Sequence, residues 1–252
     1  MSKKQVWVFI ETNDKGIVDV SKELLSEGKV LANKINGEVC GIILGDKPQN
    51  FHQELFDHHA DKLYSIAHKE LKDFRILPYS SNISSAVEKY KPYIMLFGAT
   101  YAGRELAPRV ASTVKCGLTA DCTQLEIGDH VSPQTKKEYK DLLLQIRPAF
   151  GGNIIATIIN PDMHPQMATV RPGVMKMEEP KKKGSGKGEL IEIEAEIKKE
   201  DLILEVIEKI QQEKKVNLTA APIIVAGGMG VGSEGDFGLI KELAKVIGGE
   251  VG

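Results

Sequence analysis

Short, continuously apolar runs alternate with segments of helical periodicity through the first 114 residues, and this alternation confines the region to a parallel sheet covered by helices. Val6–Ile10, Val39–Leu44, Lys62–Ile66 and Tyr93–Phe97 are short, β-branched or aromatic, and bounded by polar or turn-forming residues, as buried strands are. Between them, Val20, Leu24, Leu25, Leu31 and Ile35 share one helical face, with Gly37 as a stop. A second helix is expected through Phe51–His58. A third carries Ile83, Val87 and Tyr90 and ends at Pro92. Gly98–Arg104 follows the fourth strand and leads into a helix reaching Val114. Open α/β sheets bind ligands at such carboxyl-end loops, but the same residues also suit a tight turn with Arg104 on the surface.

After Cys116 the pattern changes. Cys122–Ile127, Leu142–Arg147, Ile154–Ile159 and Met167–Val174 read as strands with no helices between them, so antiparallel hairpins are expected to finish the sheet. Pro148–Asn153 supplies a turn with a central glycine pair. The Lys- and Gly-rich stretch 181–188 reads as a solvated linker, which divides the chain into residues 1–180, the linker, and residues 189–252. In the last part Ile191, Ile193, Ala195 and Ile197 alternate like a strand, and Ile203–Ile210 fits strand or helix. Pro222–Ala226 is a short buried strand, and Phe237, Ile240, Leu243, Ala244 and Ile247 line one helix face.

Gly230, Gly232 and Gly235 match GxGxxG between that strand and that helix, the context in which a Rossmann-like unit places a dinucleotide phosphate on a helix N-terminus. Such a unit needs a second parallel strand, and Glu250–Gly252 stands where that strand begins. Residues 189–252 therefore read as the incomplete start of a second domain, and the natural polypeptide is expected to continue.

Composition removes several function classes. A formal net charge of −2 offers no global basic field for nucleic acid. No apolar run reaches the length of a membrane span, and the run after the basic N-terminus is too short for a signal peptide. Cys40, Cys116 and Cys122 form no CxxC, which argues against disulfide, zinc and iron–sulfur frameworks and favours a cytoplasmic setting. His52, Asp57, His58, His59 and Asp61 crowd one segment, yet adjacent histidines on a helix diverge, so an exposed helix end is expected rather than a metal site. Neither GxSxG nor GxxxxGK[ST] occurs, and no independent catalytic site is evident.

Five stretches in order, ATYAGRELAPRVA, GLTADCTQL, RPAFGGN, ATVRPGVM and IIVAGGMGVGS, make the chain resemble the alpha subunit of an electron-transfer flavoprotein from its first strand to its last residue. The resemblance implies a heterodimer with a beta subunit, in which residues 1–180 build the subunit interface and the C-terminal domain carries FAD. It implies electron carriage from dehydrogenases, of the acyl-CoA dehydrogenase type or acting with NADH, to an acceptor. The beta subunit is expected to hold FAD or AMP. The RPAFGGN form is similar to a branch that bifurcates electrons from NADH. The family's glycine loop usually carries Arg where Met229 stands, and its further flavin contacts fall beyond Gly252.

The resemblance places Arg147, Thr119, Asp121 and Phe150 as candidates to meet a flavin, and Gly228, Gly230 and Gly232 as candidates to approach its phosphates. A guanidinium near an isoalloxazine ring raises its potential, because the ring gains negative charge on reduction. Arg147 and Arg171 equally suit structural ion pairs with Asp121, while Thr119 and Asp121 suit turn caps and Phe150 suits an interface filler. Two other functions stay open: an adenine-nucleotide-binding module without redox activity, and a scaffold that shapes a flavin site in the beta subunit.

Overall fold

A computed structural model describes residues 3–149, 154–209, 218, 221–232 and 235–252. The chain divides into two compact units, Met1–Val206 and Ile207–Gly252.

The first unit is built on β1 (Gln5–Ile10), β4 (Glu38–Gly45), β5 (Lys62–Ala67), β6 (Ile94–Gly98), β7 (Leu118–Cys122), β11 (Gln166–Val170) and β12 (Glu189–Ile193). These form one seven-stranded sheet in the order β12-β5-β4-β1-β6-β11-β7. Every adjacent pair is parallel. A small hairpin of β2 (Thr12–Asn13) and β3 (Gly16–Ile17) follows β1. The helices are α1 (Asp19–Lys34), α2 (His52–Asp57), α3 (Ile76–Tyr90) and α4 (Tyr101–Thr113), and they match the expected alternation.

Two apolar layers flank the sheet, as the continuous apolar strands require. Leu24, Leu25 and Leu31 of α1 pack with Val6, Val8 and Ile10 on one face. Ile83 and Val87 of α3 and Leu106 and Val110 of α4 pack with Trp7, Phe9 and Phe97 on the other. Trp7 is fully buried, with its ring 4.3 Å from that of Tyr64 and its indole N–H donating to Gln5 Oε1 at 2.9 Å.

The antiparallel expectation is met by a separate sheet of β8 (Gln124–Val131), β9 (Glu138–Ala149) and β10 (Ile154–Ile158), in the order β10-β9-β8. The run expected as the last hairpin strand behaves differently. Gln166–Val170 is wholly buried and inserts in parallel between β6 and β7, because a strand covered on both faces needs a continuous apolar run rather than an alternating one.

The stretch 181–188, read as a linker from its composition, is a fitted strap. The Asp57 carboxylate accepts the Gly184 and Gly186 backbone N–H groups at 2.8 and 2.7 Å, and Gln53 Nε2 donates to the Gly186 carbonyl at 3.1 Å. Glycine is required here: a Cβ at Gly186 would fall on the backbone of Phe56, and one at Gly188 on its ring. The strap delivers β12 to the sheet edge beside β5, where Ile191 and Ile193 pack on the second apolar layer. The expected division at residues 181–188 thus lies inside the first unit, and the units part after Val206.

In the second unit, β13 (Ile224–Val225) and β14 (Glu250–Val251) pair in parallel around α5 (Gly238–Ile247). Gly248 takes φ +68° to end the helix, and the Gly249 N–H returns to the Ala244 carbonyl at 2.8 Å. The strand expected to begin at Glu250 is therefore present over two residues. Ile203–Lys209 forms neither helix nor strand, and Ile210 lies outside the described residues. Leu239, Leu243 and Val246 of α5 are exposed. Among the described residues no helix is long and apolar enough to cross a membrane.

The Gly184 and Gly186 N–H groups hold the Asp57 carboxyl below the usual carboxylate range. Seating of the strap should therefore persist through that range and weaken only as pH falls through the depressed value. Asp57→Ala should speed amide exchange at Gly184 and Gly186 roughly tenfold or more and open Lys181–Lys187 to trypsin. Unchanged exchange would show that other contacts hold the strap.

Candidate functional site

In the first unit the sheet order reverses between β1 and β6, since the chain runs from β1 outward through β4 and β5 and then returns to β1's other side. Carboxyl-end loops beside such a reversal form a crevice. Glu11 follows β1 and Thr100 follows β6, and the Thr100 hydroxyl donates to Glu11 Oε2 at 2.5 Å. The same hydroxyl accepts the Gly103 N–H at 3.0 Å, so Thr100 caps α4. Position 103 must be glycine because a Cβ would lie on the Gly98 carbonyl oxygen. Val20 fills the space beside Gly98. Burial pushes the Glu11 carboxyl up, against the opposing effect of the Thr100 hydrogen bond.

Three charged groups meet further along this edge, and a fourth acts on them without contact. Asp121, at the end of β7, accepts Arg171 Nη2 at 2.7 Å and Nε at 3.4 Å. Arg104 Nη2 lies 3.5 Å from the same carboxylate, and its Nε donates to the Ala99 carbonyl at 2.8 Å. The charge of Arg147, on β9, also acts on Asp121 and on Cys122. The Arg171 hydrogen bond, followed by the charges of Arg171, Arg104 and Arg147, holds the Asp121 carboxyl below its usual range against the effect of burial. Two guanidiniums thus contact one carboxylate and a third acts on it from farther off, a surplus of positive charge at an accessible edge.

The backbone is arranged for this meeting. Asp121 takes φ +60°, a left-handed conformation that Asp tolerates better than most residues. Its N–H donates to Thr169 Oγ1 at 2.8 Å, and Thr169 is itself buried in β11. The Arg171 N–H donates to the Cys122 carbonyl at 2.9 Å, which fixes where that side chain leaves β11.

The residues singled out from sequence separate accordingly. Asp121 and Arg171 come together, so the ion-pair alternative holds for Arg171, while Arg147 acts on Asp121 only through its charge. Thr119 is buried in β7 at 4% exposure, so it packs within the sheet instead of presenting its hydroxyl to a ligand. Phe150 lies outside the described residues. Arg104 enters the site from the loop whose sequence suited either a turn or a ligand. Nothing in the sequence marked Glu11 or Thr169, although a charged residue directly after a buried strand, as Glu11 is, could have drawn notice.

In the second unit a Cβ at Gly228 or Gly230 would meet no atom within 4 Å, so the loop backbone is open to a ligand. Gly232 takes φ +89°, beyond the short 3-10 turn Met229–Val231. Met229 is fully exposed. The loop precedes α5 in sequence, and the Gly238 and Leu239 N–H groups that open that helix donate to the Gly235 and Asp236 carbonyls at 3.1 and 3.2 Å.

Other clusters carry no chemistry. His52 Nε2 is 2.8 Å from Ser65 Oγ, and His59 Nε2 donates to the Glu179 carbonyl at 3.0 Å. No group among the described residues could hold a metal ion. Burial pushes the Cys116 and Cys122 thiols up to about 11, so neither is a ready nucleophile.

Comparison with known proteins matches residues 6–198 to the electron transfer flavoprotein domain and residues 217–252 to the electron transfer flavoprotein FAD-binding domain. The chain is 40% identical over 250 residues to the electron transfer flavoprotein subunit alpha of Thermoanaerobacterium thermosaccharolyticum, covering 99% of this chain and 72% of the relative. It is 41% identical to protein FixB of Clostridium saccharobutylicum, with 98% and 71% covered. It is 35% identical to the acryloyl-CoA reductase electron transfer subunit beta of Anaerotignum propionicum, with 99% and 72% covered.

If Arg171 is the main partner of Asp121, Arg171→Gln should return the Asp121 carboxyl toward its ordinary range. Carbon-detected NMR titration of Asp121 reads this directly. In the unaltered chain the ion pair should survive below the ordinary Asp value and dissolve as pH falls through the depressed one. A titration midpoint unmoved by the substitution would assign the depression to another group.

Proposed function

The chain belongs to the electron transfer flavoprotein family, on its alpha-subunit side, and from that premise we propose that it works as one chain of a two-chain FAD carrier. The partner is a beta subunit. The carrier passes electrons from a dehydrogenase, of the acyl-CoA type or acting with NADH, to an acceptor. The observation that carries this reading is the positive surplus around Asp121, an exposed charge arrangement that suits a group becoming more negative as it takes up electrons.

FAD, when bound, would supply the redox chemistry of such a carrier. Arg147 and Arg171 orient and stabilise its added negative charge at the carboxyl edge of the first unit, toward a flavin held by the partner. Asp121 acts through the arginines: its carboxylate is already taken by guanidinium donors, so it holds them rather than binding flavin itself. In the second unit, Gly228 and Gly230 offer backbone to a phosphate, which their open Cβ positions allow, and the positive φ of Gly232 shapes the turn that presents them. Met229 contributes no charge there, so this loop binds through the backbone alone.

An adenine-nucleotide sensor is less well supported in the first unit. The crevice between β1 and β6 is filled by Val20 and by Glu11, which sets a carboxyl group where a nucleotide phosphate would approach the α4 N-terminus. Electron bifurcation is a finer form of the carrier reading, supported by the RPAFGGN sequence at Arg147.

Co-expressed with its beta-type partner, the chain should give a yellow complex whose flavin bleaches on addition of a reduced dehydrogenase or NADH. Arg147→Ala should weaken stabilisation of the reduced flavin on the order of tenfold, lowering its midpoint potential by about 59 mV per electron. A colourless, well-folded complex containing the full-length alpha chain would reject the carrier function, and an unmoved potential would reject the role of Arg147.

A further inference from the structure

We propose that Arg104 is a positioning residue that neutralises Asp121, so that Asp121 can hold Arg171 without cancelling the field the arginines present. This rests on the carrier reading above and adds a residue that the sequence motifs left on the surface.

The geometry separates the arginines. Arg171 engages Asp121 through both Nη2 and Nε, at 2.7 and 3.4 Å, so its fork is committed to orientation by that carboxylate. Arg104 approaches Oδ1 only at 3.5 Å, with its Nε tied to the Ala99 carbonyl and its side chain 61% exposed. It is anchored by the backbone at the end of β6 and therefore does not need Asp121 for its own placement. What it contributes is charge beside a carboxylate that another arginine needs.

That need creates an electrostatic conflict. A carboxylate fixed beside Arg171 repels any anion approaching the same edge. The conflict cannot be resolved by removing Asp121, because Asp121 sets the direction of Arg171 and is itself set by the Thr169 hydroxyl and a left-handed backbone. A second guanidinium beside Asp121, held in place by the Ala99 carbonyl, resolves the conflict.

The proposal makes two substitutions act in opposite directions. Arg104→Gln leaves the negative charge of Asp121 uncompensated and should lower the flavin potential of the co-expressed complex, by a threefold to tenfold loss of reduced-state stabilisation, roughly 30 to 59 mV per electron. Asp121→Asn removes the opposing charge while keeping the side-chain volume and should raise the potential. If the network were only structural, both substitutions would loosen Arg171 and shift the potential downward together. A readout on the chain without flavin accompanies this: Arg104→Gln should move the NMR titration of Asp121 upward.

Opposite shifts with an upward Asp121 titration support the proposal. Shifts of the same sign, or an Asp121 titration indifferent to Arg104, overturn it while leaving the carrier reading intact if Arg147→Ala still lowers the potential. If Arg147→Ala leaves the potential unmoved as well, the carrier reading of this edge fails and the proposal falls with it.

Discussion

The insertion of β11 between β6 and β7 is the constraint on which the rest of the first unit depends. A parallel strand in the middle of a sheet must pair its backbone on both sides and bury both faces. Gln166–Val170 does so completely: it pairs with Ile94–Gly98 on one side and with Leu118–Cys122 on the other. The register shift near Val170 lets Cys122 lie opposite it, and from there the chain delivers Arg171 beside Asp121. The same insertion buries Thr169, whose hydroxyl holds the left-handed backbone of Asp121. One strand therefore sets the sheet order, the orientation of the central carboxylate and the position of its main arginine.

What leaves β11 is equally constrained. The next strand lies at the opposite edge of the sheet, so residues 171–188 must cross α1 and α2 before β12 can pair with β5. The crossing is held by side chains that accept backbone N–H groups: Glu23 takes Gly173 at 2.9 Å, Ser26 takes Glu178 at 3.0 Å, and Asp57 takes Gly184 and Gly186. The site and the strap are thus two ends of one connection. Arg171 stands where that connection begins, and its placement benefits from the anchoring that follows.

The sequence made the alternation of strands and helices legible because each buried strand is apolar throughout and each helix shows one apolar stripe, as Val6–Ile10 and Leu24–Leu31 do. It misled where composition and conformation part company. Lys181–Gly188 has the composition of a tether, but Gly186 and Gly188 are there for close passage over Phe56, a property that only the packed structure reveals. Met167–Val174 reads as a strand either way, and pairing direction depends on partners more than 40 residues distant in sequence. In the site, Arg147, Asp121 and Arg171 were visible through their motifs. Arg104 was ambiguous because a small-residue loop after a strand serves turns and ligands alike. Thr119 could not be placed, since in β7 the alternation of faces decides between burial and exposure, and the bulge between Ala168 and Val170 alters that alternation.

The central claim is that the carboxyl edge of the first unit presents an arginine-rich surface to a flavin carried by the partner chain. An experimental structure of the co-expressed two-chain complex with its flavin bound tests it most directly. The account predicts the isoalloxazine ring within hydrogen-bond distance of the Arg147 guanidinium, with Arg171 still paired to Asp121 and Arg104 beside the same carboxylate. A flavin bound elsewhere, with Arg147 and Arg171 facing solvent in the complex, would contradict it.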